Sequence, residues 1–303
     1  MRRQNFIAAI ITAFSLFPFL NPVKADNTMI YWDTVRGGIK RMNADGTGKQ
    51  DVISYTGMTN YEALSGLAID SVAGKMYWTY SDNSHNNIHK IKCANIDGSQ
   101  IQDFLAGGTT GDFAIDSLNR RLYWTTGEQI GSVNLNGSNP SYFGTDNMAL
   151  TCDVDIDTAA GKLYWSENWE GVIMRSNLDG SQQEVVDLAG GTGFPTAIAL
   201  DTVHNRIYTV SGETLLWSNL DGSDYHDIYS FSGDYISDIA CDSYGGKVYW
   251  STYDTIYRAN LDGSNIETLA TDTYIESISI VTVPEPATLL LLGLGGLVLR
   301  KRK

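Results

Sequence analysis

Apolar and polar positions in this chain alternate in short runs, and the runs recur. A four-residue apolar segment ending in aspartate appears as Leu67-Ala68-Ile69-Asp70, Phe113-Ala114-Ile115-Asp116, Val154-Asp155-Ile156-Asp157, Ile198-Ala199-Leu200-Asp201 and Ile239-Ala240-Cys241-Asp242. Each is followed by a second run built on Tyr-Trp: Tyr77-Trp78, Tyr123-Trp124, Tyr164-Trp165, Tyr208-Thr209 (where the Trp is lost) and Tyr249-Trp250. A further copy, Tyr31-Trp32, stands ahead of them all, and the six tyrosines are 46, 46, 41, 44 and 41 residues apart. A third run leads into an Asp-Gly or Asn-Gly element at Asn43 to Thr47, Asn95 to Ser99, Asn134 to Ser138, Asn177 to Ser181, Asn219 to Ser223 and Asn260 to Ser264. A fourth follows, as in Gln50 to Ser54, Ile101 to Leu105, Glu184 to Leu188 and Ile266 to Ala270.

Period-two alternation predicts strands, and four short strands per repeat of this length describe the blade of a β-propeller. The fold class expected is all-β: a six-bladed propeller. A helical solenoid is excluded because no run has a 3.6-residue period. A ring also protects the strand edges that an open stack would leave unpaired. The ends of the repeat array fit closure. The first Tyr-Trp run, Met29 to Asp33, lacks an innermost strand before it, and Ser277 to Val281 supplies one with no Tyr-Trp run after it. Pairing that C-terminal strand with the three N-terminal ones completes the sixth blade. Adjacent residues of a strand point to opposite faces, so each Tyr and its Trp should pack against different neighbouring blades. The repeat aromatics Tyr31, Trp32, Tyr77, Trp78, Tyr123, Trp124, Tyr164, Trp165, Tyr208, Tyr249 and Trp250 are therefore assigned to the core. The aspartates that end the first strands are expected to accept hydrogen bonds from the following turn. The Asp-Gly elements are read as type I′ hairpins with positive φ at both central residues, not calcium loops, because they lack the spaced oxygen ligands and late glutamate of such loops.

The Tyr-Trp repeat with its Asp-Gly partner resembles the YWTD repeat of low-density-lipoprotein receptors, the LDL-receptor class B repeat of six-bladed propellers. The likeness runs over residues 28–283, although the four letters here read YWDT, YWTY, YWTT, YWSE, IYTV and YWST, so no copy matches in full. It implies a protein-binding propeller. No disulfide-rich module of the kind such propellers pack against accompanies it.

Both ends read as addresses. Residues 1–25 carry Arg2 and Arg3, an apolar run from Phe6 to Leu20, and Val23 and Ala25 at signal-peptidase spacing, so cleavage by signal peptidase is expected after Ala25. The propeller domain is taken as 26–283. The tail 284–303 opens on Pro284-Glu285-Pro286, continues through an apolar stretch of thirteen residues, Ala287 to Leu299, and ends Arg300-Lys301-Arg302-Lys303. This order resembles the PEP-CTERM sorting signal of Gram-negative bacteria, which implies processing by an exosortase and an association with exopolysaccharide. A short apolar helix is expected at each terminus. The C-terminal one, 287–299, would be a transmembrane segment of about 20 Å against a ~30 Å hydrocarbon core, extended by snorkelling of the basic end. Its membrane association would be transient. The implied location is beyond the inner membrane: periplasm, cell surface or extracellular matrix.

The chain has 21 Lys+Arg and 35 Asp+Glu. Residues 1–25 hold three of the basic residues, and 284–303 hold four with one acidic, which leaves the propeller at 14 against 34, a net charge of −20. Such a field repels nucleic acid and favours basic partners. Cys93, Cys152 and Cys241 sit in strand-like runs without metal-ligand spacing and are read as buried free thiols.

Catalytic constellations are sparse. His85, His89, His204 and His226 fall in different loops and strands, and no nucleophile elbow, phosphate loop or zinc spacing is found. No cofactor is expected. Other six-bladed propellers are calcium-dependent lactonases; the channel positions such a hydrolase would use are Asp112, Asp153, Asp155, Asp238 and Glu276, whose plainer role is as solvated residues at the channel mouth. The leading expectation is an exported, non-catalytic binding or scaffold propeller. Loops from second to third strands and from fourth strands to the next blade share one face and carry Tyr61, His85, Trp169, Glu170, Phe194, Phe231, Tyr235, Tyr253 and Tyr274. A tryptophan beside carboxylates suits a basic protein segment or a sugar ring. A structural matrix protein is the third reading.

Overall fold

The computed structural model describes residues 28–282 apart from 36, 56–61, 83–87, 108–110, 145–150, 187–192 and 231–232. The expected terminal helices, signal peptide and sorting tail lie outside these residues, as do Tyr61, His85 and Phe231. Among the described residues no helix is long and apolar enough to cross a membrane.

The described chain forms β1 (Thr28–Thr34), β2 (Gly38–Asn43) and β3 (Gln50–Ser54), then five complete four-stranded blades. Blade two is β4 (Glu62–Asp70), β5 (Lys75–Asp82), β6 (Ile88–Asn95) and β7 (Gln102–Ala106); blade three is β8 (Phe113–Asp116), β9 (Arg121–Thr125), β10 (Gln129–Asn134) and β11 (Ser141–Gly144). Blade four is β12 (Thr151–Asp157), β13 (Lys162–Glu167), β14 (Val172–Asn177) and β15 (Glu184–Val186). Blade five is β16 (Ile198–Asp201), β17 (Arg206–Ser211), β18 (Thr214–Asn219) and β19 (His226–Ser230). Blade six is β20 (Ile236–Asp242), β21 (Lys247–Thr252), β22 (Thr255–Asn260) and β23 (Glu267–Thr271), and β24 (Ile275–Thr282) completes blade one. Every sheet is an antiparallel meander, and β24 pairs with β1 in the register Tyr31↔Ser279 and Thr28↔Thr282. The all-β, six-bladed ring and its shared first blade are as the repeat implied.

Each gap between blades is filled by one apolar cluster. Tyr31 of blade one meets Trp78 of blade two, and Tyr77 meets Trp124 of the next blade. Tyr123 joins Trp165, Tyr208 joins Trp250, and Tyr249 closes the ring on Trp32. All five repeat tryptophans are fully buried. The gap between blades four and five has no indole: Tyr164 packs on Ile173, Ile198 and Ile207, while Thr209 turns its hydroxyl to the Ala197 carbonyl at 2.8 Å. Room for an indole is made locally. Gly131 pairs across the ladder with Trp124, and a Cβ there would lie 2.2 Å from the ring.

The closing interface carries a polar clasp besides the aromatics. Lys40 of blade one donates to Asp272 at 2.8 Å, and the Trp32 indole N–H donates to the same carboxylate at 3.1 Å. Partial burial pushes Asp272 up, but Lys40, the Thr273 amide, Lys49 and Trp32 together bring it down to about 2.

The Asp-Gly elements are turns, but not of type I′. Only the glycine has positive φ, as in Gly46 (84°) and Gly180 (80°); the preceding aspartate does not. The Gly46 amide donates to the Asn43 carbonyl and the Asn43 amide to the Thr47 carbonyl, both at 2.9 Å, which is a three-residue loop with a left-handed glycine. The other letters of the motif explain the choice. Asp45 Oδ1 accepts from the Thr47 amide (2.9 Å) and hydroxyl (2.6 Å), and Asn43 Nδ2 donates to Thr47 Oγ1. The same net recurs through Asp97–Ser99, Asn136–Ser138, Asp179–Ser181, Asp221–Ser223 and Asp262–Ser264. The hydroxyl and then the amide hold these exposed aspartates below the usual carboxylate range. The aspartates that end first strands do cap the next turn: Asp116 accepts from the Asn119 amide and Asp201 from the His204 amide.

Because the indoles bridge blades, Trp124→Ala should cost about 3–5 kcal/mol, the range for removing a large buried aromatic. Denaturant unfolding of wild type and variant measures the difference; a loss under about 1 kcal/mol would show that the cluster does not bear the interface.

Candidate functional site

Every blade runs the same way, so its loops segregate by face. The turns from first to second and from third to fourth strands form a lower face; the loops from second to third strands and between blades form an upper face. Contacts on the upper face confirm the grouping. The Ile275 amide, at the start of β24, donates to the Tyr253 carbonyl at 3.0 Å, and a Cβ on Gly171 would meet the Gly193 carbonyl at 2.8 Å.

Over blades four to six the upper loops present an arc of aromatic rings. Trp169 is 74% exposed and Tyr235 80%; Phe194, Tyr253 and Tyr274 are also exposed. Local chemistry fixes their presentation. Trp169 stands at the tip of a tight turn closed by Gly171, whose amide donates to the Glu167 carbonyl at 3.0 Å with φ at 69°. Glu167 is itself buried and accepts the Trp165 indole N–H at 2.9 Å, so the turn is rooted in the inter-blade core. Tyr274 has φ of 60°, an uncommon conformation for a bulky side chain. It is held by the Val35 amide, which donates to its carbonyl at 3.0 Å, and its ring packs edge-on against Tyr253 with centroids 4.6 Å apart. Between the rings lie the exposed carboxylates Glu170, Glu213, Asp234 and Asp254. Among the described residues these upper loops of blades four to six contain no lysine or arginine. The arc thus offers flat apolar rings in a negative field, a surface complementary to cationic groups. The tandem of Tyr253 and Tyr274 is set by a left-handed backbone at Tyr274 and an edge-on ring contact that no spacing rule in the sequence announces.

The central channel holds a second cluster. Carboxylate oxygens of Asp112, Asp153 and Asp238, from three separate blades, lie within 4.8 Å of one another. They divide the channel into a lower chamber of about 230 Å³ and an upper one of about 90 Å³. Asp155 sits in the lower chamber, and Glu276 lines the upper one on its exposed rim. The three aspartates are not solvated residues at the mouth, as the sequence suggested. Asp153 and Asp238 are buried, and the reason is the open edge of each innermost strand, whose amides face the channel unpaired. Asp153 accepts from the Val154 and Ile198 amides, both at 2.6 Å, and Asp238 from Ile239 at 2.6 Å and Ile278 at 2.7 Å. Asp155 does the same for Ile156 and Leu200 one layer below, and Asp112 accepts from Phe113 at 2.7 Å. The carboxylates lace the inner strands of adjacent blades together.

That arrangement is charged at a cost. Burial, opposed by the amide bonds and reinforced by Asp155, pushes Asp112 up to about 7, and burial pushes Asp155 up to about 6. Burial and then the neighbouring aspartates push Asp153 and Asp238 well above the usual carboxylate range. The three carboxylates form an all-oxygen donor set suited to a hard cation, but their oxygens already receive the lacing amides. Among the described residues the histidines do not converge on the channel: His204 Nδ1 lies 2.8 Å from Asp201, and His226 stacks on Trp217 with centroids 4.4 Å apart. The cysteines form no disulfide; burial raises the Cys152 and Cys241 thiols, which keeps them protonated.

For these acids the folded state binds protons that the unfolded chain has released between about pH 4 and 7, so stability falls as pH rises through that window. Asp112→Asn keeps the acceptor for the Phe113 amide and removes one charge. In chelator its melting temperature should exceed wild type at pH 8 and converge with it near pH 4, as thermal melts at the two pH values would show. A variant less stable at pH 8 would mean that the charged form is favoured by something other than the lacing amides.

Comparison with known proteins is consistent with this geometry. Residues 282–303 match the PEP-CTERM protein-sorting motif. The chain is 27% identical over 195 residues to Protein cueball of Drosophila yakuba, covering 58% of this chain and 30% of that protein. It is 26% identical over 224 residues to the vitellogenin receptor of Solenopsis invicta, covering 67% of this chain and 12% of the receptor. The chain therefore spans less than a third of the length of either relative. Among solved structures, the nidogen/laminin complex contains a chain that superposes with a TM-score of 0.71 at 18% identity, over 84% of this chain and 99% of that one. TolB from Acinetobacter baumannii superposes at 0.68 with 13% identity, over 89% and 70%. The repeat, the ring and the C-terminal match together identify the chain as a six-bladed YWTD-type propeller that carries a PEP-CTERM sorting motif.

Proposed function

We propose that the protein is an exported, non-catalytic binding or scaffold propeller of the bacterial cell envelope or extracellular matrix, whose ligand docks on the upper arc. The observation that carries this reading is the row of exposed rings, Trp169, Phe194, Tyr235, Tyr253 and Tyr274, alternating with Glu170, Glu213, Asp234 and Asp254 on one face. Exposed aromatics set among carboxylates bind through stacking and cation–π contact, and the ligand of best fit is a basic protein segment or a sugar ring. The receptor and nidogen/laminin likenesses support binding as the use of the fold. Residues 1–25 act as a signal peptide, 26–283 as the binding domain and 284–303 as a sorting tail processed by exosortase. Tyr61, His85 and Phe231 belong to the same set of loops by sequence.

A calcium-dependent hydrolase is the competing reading. One observation favours it, the three carboxylates within 4.8 Å in the channel. It predicts a stoichiometric tightly bound ion and lactone turnover, both measurable on the purified protein.

The binding reading is tested by pull-down from envelope material, with a glycan array in parallel. Wild type should retain a defined partner or glycan, and Trp169→Ala with Tyr235→Ala should lose it while melting at the same temperature. Identical retention by the double variant would remove the site from this face.

A further inference from the structure

The lower face has a feature that ligand binding above does not use. In five blades the turn between first and second strands puts an apolar side chain two residues beyond its capping aspartate: Val72, Leu118, Ala159, Val203 and Tyr244, all exposed. Leu118 is 75% exposed and Tyr244 80%. Each tip is forced outward by its own cap, as where Asp70 accepts the Val72 amide at 3.1 Å and Asp242 the Gly245 amide at 2.8 Å. These turns encircle the lower mouth of the channel. In blade one the corresponding turn does not exist. There Thr28 pairs with Thr282, so the chain enters and leaves the ring at the sixth position of the same circle.

Where the chain leaves decides what this face meets. Only four residues, Val283 to Pro286, separate β24 from the apolar stretch that begins at Ala287. Fully extended they reach about 14 Å. The polar headgroup layer is roughly 5–8 Å thick on each side of the hydrocarbon core. A tail seated in a bilayer therefore keeps the lower face within about 14 Å of the hydrocarbon, only a few ångströms beyond the headgroup layer at most. We infer that the lower face is a membrane-docking surface, with the five apolar turn tips resting in the headgroup layer and the upper arc directed away from the bilayer. This rests on the reading of the tail as a membrane segment.

The charge on this face shows which force would hold it. Arg120 and His204 flank the tips, but Arg120 is paired with Asp70 at 2.6 Å and His204 with Asp201 at 2.8 Å. Lys75, Arg121, Lys162 and Lys247, which open the second strands behind the tips, donate to Asn95, Asn134, Asn177 and Asn260, and Arg206 lies over the Trp217 ring. Outside them the Asp-Gly turns place Asp45, Asp97, Asp179, Asp221 and Asp262, all exposed, around the same face. Docking is therefore apolar and gains nothing from anionic lipid, unlike binding by a polybasic patch.

Tyr235 and Tyr244 make a matched pair for the test, since both are 80% exposed and they stand on opposite faces. The full chain is reconstituted into phosphatidylcholine vesicles with a photo-crosslinking phenylalanine derivative at position 244 or at position 235, floated on a density gradient and illuminated. Lipid adduct should form at 244 and be absent at 235, and added phosphatidylglycerol should not raise the yield at 244. Flotation with equal adduct at both positions, or more at 235, would overturn the orientation and leave the tail reading intact. Failure to float would overturn the tail reading and the docking with it. Crosslinks from 244 to a second copy of the chain, in place of lipid, would assign the face to self-association. Leu118→Asp with Tyr244→Asp, both outside the core, should still float through the tail but lose the lipid adduct from a probe placed at Val203.

Discussion

The molecule depends on one geometric constraint: adjacent residues of a strand face opposite sides of its sheet. Tyr-Trp placed on the second strand of a blade therefore reaches both neighbours at once, and repetition turns that dipeptide into a closed chain of contacts. Tyr31 shares a cluster with Trp78, Tyr77 with Trp124, and the series ends where Tyr249 shares one with Trp32. No blade has a core of its own; the core is the set of gaps between blades. Closure is then not an accessory. A blade at an open end would expose a Tyr or a Trp with nothing to bury it, and β24 docking on β1 removes both ends together. The clasp of Lys40 and Trp32 on Asp272 reinforces the one interface made by distant parts of the chain.

The same repetition creates a problem in the middle. Six innermost strands turn unpaired amides toward a channel too narrow for bulk water to solvate freely. Aspartates at alternate positions answer it by accepting amides from their own strand and, in Asp153, Asp155 and Asp238, from the next blade. Each carboxylate gains strong acceptor geometry and loses hydration, and the amides do not fully offset the loss, which is why their proton affinities rise. A carboxylate cluster that resembles a metal site by composition is, by its contacts, an edge-sealing device. Whether it also holds an ion depends on lone pairs left over after lacing, and not on the number of acids.

Most of the fold was legible because the period was. The Tyr-Trp spacing, the aspartate at the end of each first strand and the missing strand at the N-terminus each fix something independent: interfaces, turns and closure. The turn type was not legible from Asp-Gly alone, because the decision lies in the residues around it. Asn43 and Thr47 bind each other and Asp45 across the loop, and that net needs a third loop residue. The site was legible as a set of loops but not as a shape. Trp169 could be placed on the upper face by strand order, whereas the pairing of Tyr274 with Tyr253 depends on a backbone conformation that tyrosine seldom adopts. The channel acids were found by position and misjudged in environment, since a sequence shows where a residue falls along a strand but not that carboxylate oxygens from three separate blades converge within 4.8 Å.

The direction of the chain within a blade finally divides the labour between the two faces. First strands run from the upper face to the lower, so even numbers of strands return every inter-blade loop to the upper face. Those loops are free to vary in length and sequence, because neither the ladder nor the Tyr-Trp contacts pass through them. The lower face is made of short turns whose residues are tied down by capping aspartates and left-handed glycines, and it is therefore nearly uniform from blade to blade. A chain that closes its ring by sharing one blade must place both termini on the lower face, because β24 ends where β1 begins. The variable loops and the two ends of the ring are thus assigned to opposite faces by strand count alone. The exposed rings of blades four to six and the acidic side chains between them stand on the face that this topology leaves free.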